Sequence, residues 1–411
     1  MTSPSPDPAR SADAPARDGD GWTRRGALGV AGLAGLAAAG IAAATCGGPG
    51  GAAEARGGFR PRDLAVFGHS WAAGTNVRRS RAWPALVARE LGVARPPLFP
   101  TDAARRRDFA WGGARAVGPA AEHGAGWVLR SLPRGPRRPP SLVLLLTGDN
   151  DVSRHGDSPA ALRLLGGGIH AALGRLLATE VHEEDEPAAW SFGPGWASER
   201  GDQRNSGRGV RYALADGATF AARLPAGYAG APVTVGLPLW DATVRGTITW
   251  SVDGRPLARR TDLSALQGVL TRRDPSAVYA ERFAGLPAGA RELRGTWSSG
   301  GHRGAAVVVD AWSLEREDAR IVCALMPERN PWGNDFGGVT VASNRANRQA
   351  LAEHRGVRYV DLARAVLPTG TAADRRFWDS DASSHPTAAG ERAIARVVAG
   401  AVRRMAPPQP L

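Results

Sequence analysis

Lysine is absent from this chain: among its 411 residues, all 52 basic side chains are arginine. A Walker-type phosphate loop needs its lysine, a pyridoxal enzyme needs an amine for the Schiff base, and a Ser–Lys hydrolase needs a lysine base. Those chemistries are excluded. Cysteine is nearly absent, and two residues cannot build a disulfide framework. No H-E-x-x-H occurs, and His123, His155, His170, His182, His302 and His354 show no metal-ligand spacing. Exposed or hydrogen-bonded imidazoles are expected there, with no metal and no other cofactor. The formal net charge of +13 accompanies few isoleucines, 53 glycines and 31 prolines, a composition typical of GC-rich coding. No dense basic helix and no aromatic–basic alternation accompany it, so no nucleic-acid partner is expected.

The N-terminus has the pattern of an address. Residues 1–22 are rich in Pro, Ser, Asp and Ala without apolar periodicity. Thr23-Arg24-Arg25-Gly26-Ala27-Leu28 follows, then an Ala/Gly/Leu run to Thr45 and Cys46. A charged start, a mildly apolar run and a small-residue zone predict an export signal, and the arginine pair resembles a twin-arginine signal. Ala43-Ala44-Thr45-Cys46 resembles a lipobox, leaving lipidation of Cys46 and plain cleavage both open. Gly47 to Gly58 reads as a flexible tether. The expected location is outside the cell or at the outer face of its membrane. Membrane contact is expected only through the signal or a lipid anchor.

Beyond the tether, apolar runs stand at 63–67, 141–147, 320–326 and 357–362, and the run at 141–147 lacks alternation, as a strand buried on both faces does. Helical spacing at 83–91, 159–179, 341–356 and 387–404 separates them, although Gly166-Gly167-Gly168 weakens the second helix. Strands alternating with helices predict an α/β domain, a three-layer αβα flavodoxin-like parallel sheet, with polar residues at the strand ends marking its site. Between about 187 and 316 the texture changes to short alternating runs with turn signals, among them the hairpin signature Val252-Asp253-Gly254-Arg255. An inserted all-β sandwich is expected there. The chain thus divides into tail, signal and tether (1–58), a leading α/β segment (59–186), the sandwich (187–316) and a closing α/β segment (317–411). Glu183 to Glu186 is expected to be a solvated linker, Cys323 a buried inert thiol, and the insertion's Trp190, Trp196, Trp240, Trp250, Trp297 and Trp312 chiefly core.

Four blocks bear chemistry: Phe67-Gly68-His69-Ser70, Trp111-Gly112-Gly113-Ala114, Gly148-Asp149-Asn150-Asp151 and Asp381-Ala382-Ser383-Ser384-His385-Pro386. In this order they resemble the SGNH, or GDSL-like, serine hydrolases, over roughly 61–180 and 320–404. The insertion resembles the galactose-binding-like sandwiches often joined to such esterases. The resemblance implies Ser70 as nucleophile, His385 as base and Asp381 as its orienting acid. Ser70, Gly113 and Asn150 would then supply the oxyanion hole. Two departures stand out. His69 occupies the position where the family has Asp, and three residues rather than two separate Asp381 from His385, which leaves Asp379 as an alternative acid.

The chemistry has its own logic. A serine hydroxyl needs an imidazole to take its proton, a carboxylate holds that imidazole's tautomer, and preorganised donors stabilise the tetrahedral oxyanion. Each such donor is worth about 3 kcal/mol. The expected activity is hydrolysis of carboxylic esters, on acylated glycans or small acyl esters, with a carbohydrate polymer as partner. A non-catalytic glycan-binding protein with a decayed hydrolase domain, and an acyltransferase acting on sugars, are the alternatives.

Overall fold

The computed structural model describes residues 59–94, 105–200, 209–272, 274–380 and 385–406. The export signal, Cys46 and Asp381 lie outside the described residues. Among the described residues no helix is long and apolar enough to cross a membrane.

Strands β1 (Leu64–Gly68), β2 (Asp108–Ala110), β3 (Leu142–Leu146), β4 (Arg320–Leu325) and β5 (Val357–Asp361) form a parallel sheet in the order β5-β4-β3-β1-β2. Every residue of β1 and β3 is buried, as their unbroken apolar runs require. Alternate side chains serve opposite faces. Ala65, Phe67, Val143, Leu145, Ile321 and Cys323 pack with α3 (Ala125–Ser131), α5 (Pro159–Leu176) and α6 (Val339–Ala350). Leu64, Val66, Leu142, Leu144, Val322 and Ala324 pack with α1 (Ser70–Ala73), α2 (Trp83–Glu90) and α7 (Ala388–Arg403). Each such buried Leu, Ile, Val or Phe side chain contributes about 1.5–3 kcal/mol relative to exposure. The result is the expected three-layer αβα fold. Its strand order reverses between β1 and β3, and ligand crevices in open α/β sheets form at the carboxyl ends of such strands.

Most elements lie where the apolar pattern puts them. The helix expected over 341–356 covers 339–350 instead, after which Gly356 takes a left-handed turn (φ +73°) into β5. The three-residue edge strand β2 is too short to leave a periodic signal.

The sequence between α5 and β4 builds the antiparallel sandwich. One sheet contains the strands Trp190–Phe192, Thr219–Arg223, Thr247–Val252, Arg255–Asp262 and Glu292–Ser298. A second contains Ala178–His182, Val233–Gly236, Ala280–Phe283 and Trp312–Glu315. The Asp253-Gly254 turn has positive φ at both residues and pairs Val252 with Arg255, as its signature predicts. Trp190, Trp250, Trp297 and Trp312 are core residues. The glycine run in α5 is explained by contact: a Cβ on Gly167 would lie 2.0 Å from the Tyr279 ring, so the helix backbone itself seats the sandwich. The described residues form one compact unit.

Candidate active site

The turn after β1 carries Ser70 as the first residue of the four-residue helix α1. His69 caps this helix: its Nδ1 accepts from the Trp71 N–H at 3.4 Å. That role leaves Nε2 as the protonated nitrogen of a neutral ring, 3.9 Å from Asp149 Oδ2. Burial, followed by the proximity of the His385 imidazole, depresses the His69 pKa to about 3. Burial raises the Asp149 carboxyl to about 6, against a hydrogen bond from Ser343.

The segment bearing His385 folds back against the same turn. Trp378 bridges Pro386, and the Asp379 N–H donates to the His385 carbonyl at 3.1 Å. The Trp378 ring meets the Trp71 ring edge-on at 5.5 Å. Both neighbours of Ser70 in sequence therefore face the segment that holds His385. Burial lowers the His385 pKa, and the Asp379 carboxylate works in the opposite direction. Asp379 is thus the described carboxylate that acts on this imidazole.

The second and third blocks meet at the same end of the sheet. The Trp111 N–H donates to Gly68 O at 3.1 Å, tying the glycine block to the end of β1. Gly113 takes a left-handed conformation (φ +76°), and a Cβ there would meet nothing within 4 Å. Glycine is needed for the backbone angle rather than for space. Asn150, in the first turn of α4 (Asp149–His155), donates from Nδ2 to Ala114 O at 2.9 Å. Asp151 lies beneath, its two oxygens accepting from Ala116 N (2.8 Å) and Val117 N (3.1 Å). Burial raises the Asp151 carboxyl to about 6 despite those bonds. Gly113 and Asn150 line one open depression of about 310 Å³ together with Arg115, Glu122, Ser153 and Arg154. An imidazole with a nearby carboxylate, a serine at a helix start, and amide donors around a depression can together carry out acyl transfer.

No protein-family model matches the sequence, and no curated protein matches it. Among solved structures, the chain is similar to the hemagglutinin-esterase of porcine torovirus, with 8% identity over 82% of this chain and 86% of that one, and a TM-score of 0.35. It is also similar to the C-terminal CBM6 of LamC, a marine laminarinase from Zobellia galactanivorans, with 8% identity over 33% of this chain and 98% of that one, and a TM-score of 0.24. A CBM35 from Paenibacillus barcinonensis is similar at 9% identity over 33% of this chain and 98% of that one, again with a TM-score of 0.24.

Two features of the site escape sequence reasoning. The His69–Asp149 contact joins two blocks that look independent along the chain. The partners of Arg115 come from three separate segments. A third difference lies in the sandwich, where Glu183 and Glu184 are buried rather than solvated. With Asp310 they offer carboxylate oxygens all within 4.8 Å of one another, the donor type a hard cation takes, while Arg175 pairs with Glu183 at 3.3 Å. Cys323 is a buried thiol, pushed up to about 12 by burial.

Proposed function

We propose that this chain is a serine ester hydrolase of the SGNH type, with Ser70 as nucleophile and His385 as general base. The observation that carries the reading is the convergence at Ser70. Its flanking residues His69 and Trp71 both face the His385 segment, while Gly113 and Asn150 line a depression at the same sheet end. In the proposed reaction His385 takes the Ser70 proton as the hydroxyl oxygen attacks the ester carbonyl. The Ser70 and Gly113 N–H groups and Asn150 Nδ2 receive the developing oxyanion. The returning proton leaves with the alcohol, and water repeats the sequence on the acyl-serine. Asp379 supports the imidazolium through its charge, and Asp381 remains its sequence-based rival for that role.

The reading extends to an exported enzyme addressed by residues 1–58, with the sandwich over 187–316 presenting an acylated glycan to the cleft. The decisive test is Ser70→Ala. Turnover of p-nitrophenyl acetate and labelling by a fluorophosphonate should both vanish while the circular dichroism spectrum and melting temperature persist. Retained turnover would remove Ser70 from the mechanism. Asp379→Asn and Asp381→Asn in the same assay assign the acid: the variant with the larger loss of kcat identifies it.

A further inference from the structure

The loop from Trp111 to Gly118 must hold the Gly113 N–H at a fixed place, and its anchors come from both the α/β fold and the sandwich. On the α/β side, Gly68 O, Asn150 Nδ2 and the Asp151 carboxylate bind it. On the sandwich side, the Val278 N–H donates to Val117 O at 2.9 Å. Arg115, two residues beyond Gly113, is 7% exposed, and its guanidinium ion-pairs with Asp274 of the sandwich. Arg115 Nη2 also donates to Asp274 Oδ1 at 3.2 Å, and Asp274 is itself 6% exposed. Glu122 pairs with the same guanidinium from the α/β side, and His155 Nε2 lies 2.8 Å from Nη1. Arg154 approaches Asp274 Oδ2 at 3.6 Å and His155 Nε2 does so at 3.5 Å. Among the described residues, the one charged group that the sandwich contributes to this network is buried and is bonded to Arg115, two residues beyond the proposed oxyanion donor.

We propose that Asp274 of the sandwich, acting through Arg115, is a positioning residue for the oxyanion hole, so that the inserted sandwich is part of the catalytic apparatus and not only a substrate-binding appendage. The inference rests on the ester-hydrolase reading above. Its physical basis is the steep dependence of catalysis on donor placement. Loss of one oxyanion donor costs about 10²–10³ in kcat, and a displacement of about 1 Å can cost about 10²-fold. Removing the Asp274 charge leaves a buried guanidinium under-neutralised next to Gly113, and the loop then relaxes toward water or toward Glu122. Ester binding does not use Asp274, so the effect belongs in kcat.

The test uses the full-length chain. Asp274→Asn keeps the shape but removes the charge and one of the two oxygens that accept from Arg115. It should lower kcat for p-nitrophenyl acetate by about tenfold or more with KM changed less than about threefold. Backbone amides of residues 113–118 should exchange with deuterium faster. Asp274→Glu, which restores the charge, should recover most of kcat, whereas a merely structural role would not distinguish Glu from Asn. Wild-type kcat in Asp274→Asn, or equal losses in Asn and Glu variants that both melt like the wild type, would overturn the proposal. If Asp274→Asn fails to fold, Asp274→Glu decides: recovered kcat upholds the proposal, and a soluble, folded Glu variant with a tenfold loss overturns it. A wild-type protein that neither turns over the ester nor reacts with a fluorophosphonate would instead defeat the hydrolase reading, and this inference falls with it.

Discussion

His69 stands one residue before the proposed nucleophile and is almost wholly withdrawn from water. Its imidazole stays neutral through the working range, because burial and the neighbouring His385 ring hold its pKa to about 3. In the proposed mechanism, no positive charge at this position therefore competes with His385 for the Ser70 proton. The proposed base, His385, is itself depressed by burial, with Asp379 opposing the shift. A general base works only when neutral, so kcat/KM should rise with pH through a single step lying below the ordinary histidine value of about 6.5. Asp379→Asn removes the charge that favours the imidazolium. The acid limb should then move to still lower pH, as kcat falls for want of transition-state support. A pH–kcat/KM profile of both proteins checks this, and a limb that moves upward in Asp379→Asn would exclude Asp379 as the group acting on His385.

At the scale of elements, α2 and α7 are joined by a buried acid. Glu391, in the first turn of α7, accepts from the Trp83 N–H at the start of α2 at 2.6 Å. Its other oxygen, Oε1, has no hydrogen-bond partner among the described residues, and burial raises its pKa to about 8 from 4.5. The folded protein holds this proton while the unfolded chain releases it near pH 4.5. Stability from this group is complete below that pH, declines as pH rises, and is lost once pH passes about 8. The cost accumulated at alkaline pH is on the order of a few kcal/mol. Glu391→Gln keeps an acceptor for Trp83 and has no proton to lose. Its melting temperature relative to wild type should rise between about pH 5 and about pH 8.5, by several degrees, in parallel thermal scans. An unchanged difference across that range would show that the carboxyl is not held protonated.

The same scale explains what could be read from the chain. Strands β1, β3 and β4 and helix α5 declare themselves because burial on two faces demands apolar runs, and a one-sided helix demands spacing of three and four. As candidates, Ser70 and Asn150 are legible because each follows the end of such a run, and His385 because it stands just ahead of the closing helix. Asp274 is not: it lies 159 positions from Arg115 in a turn with no periodic pattern, and only the folded chain brings them together. Glu183 and Glu184 mislead for a similar reason. A run of acids normally marks a solvated linker, whereas buried Glu183 is paired with Arg175, contributed by α5.

For the whole molecule, the α/β fold and the sandwich share their interiors. Val117 and Leu164 of the α/β fold belong to the sandwich core, and Val278 and Ala280 of the sandwich belong to the core beneath α5. Ser313 Oγ donates to Gly174 O at 3.0 Å, and Arg282, ion-paired with Glu315 at 2.8 Å, also donates to Glu353 O at 3.1 Å just beyond α6. Removing the sandwich would expose the glycine face of α5 and leave these polar groups without partners, so neither retains its native packing alone. Calorimetry of residues 59–411 should therefore give one unfolding transition with equal calorimetric and van't Hoff enthalpies. A chain in which 187–316 is replaced by a short Gly/Ser linker should bind ANS and lose its sharp melting. Two resolved transitions in the intact chain, or a cooperative melt with full esterase turnover in the shortened one, would show that the α/β fold stands by itself and that the sandwich is dispensable to it.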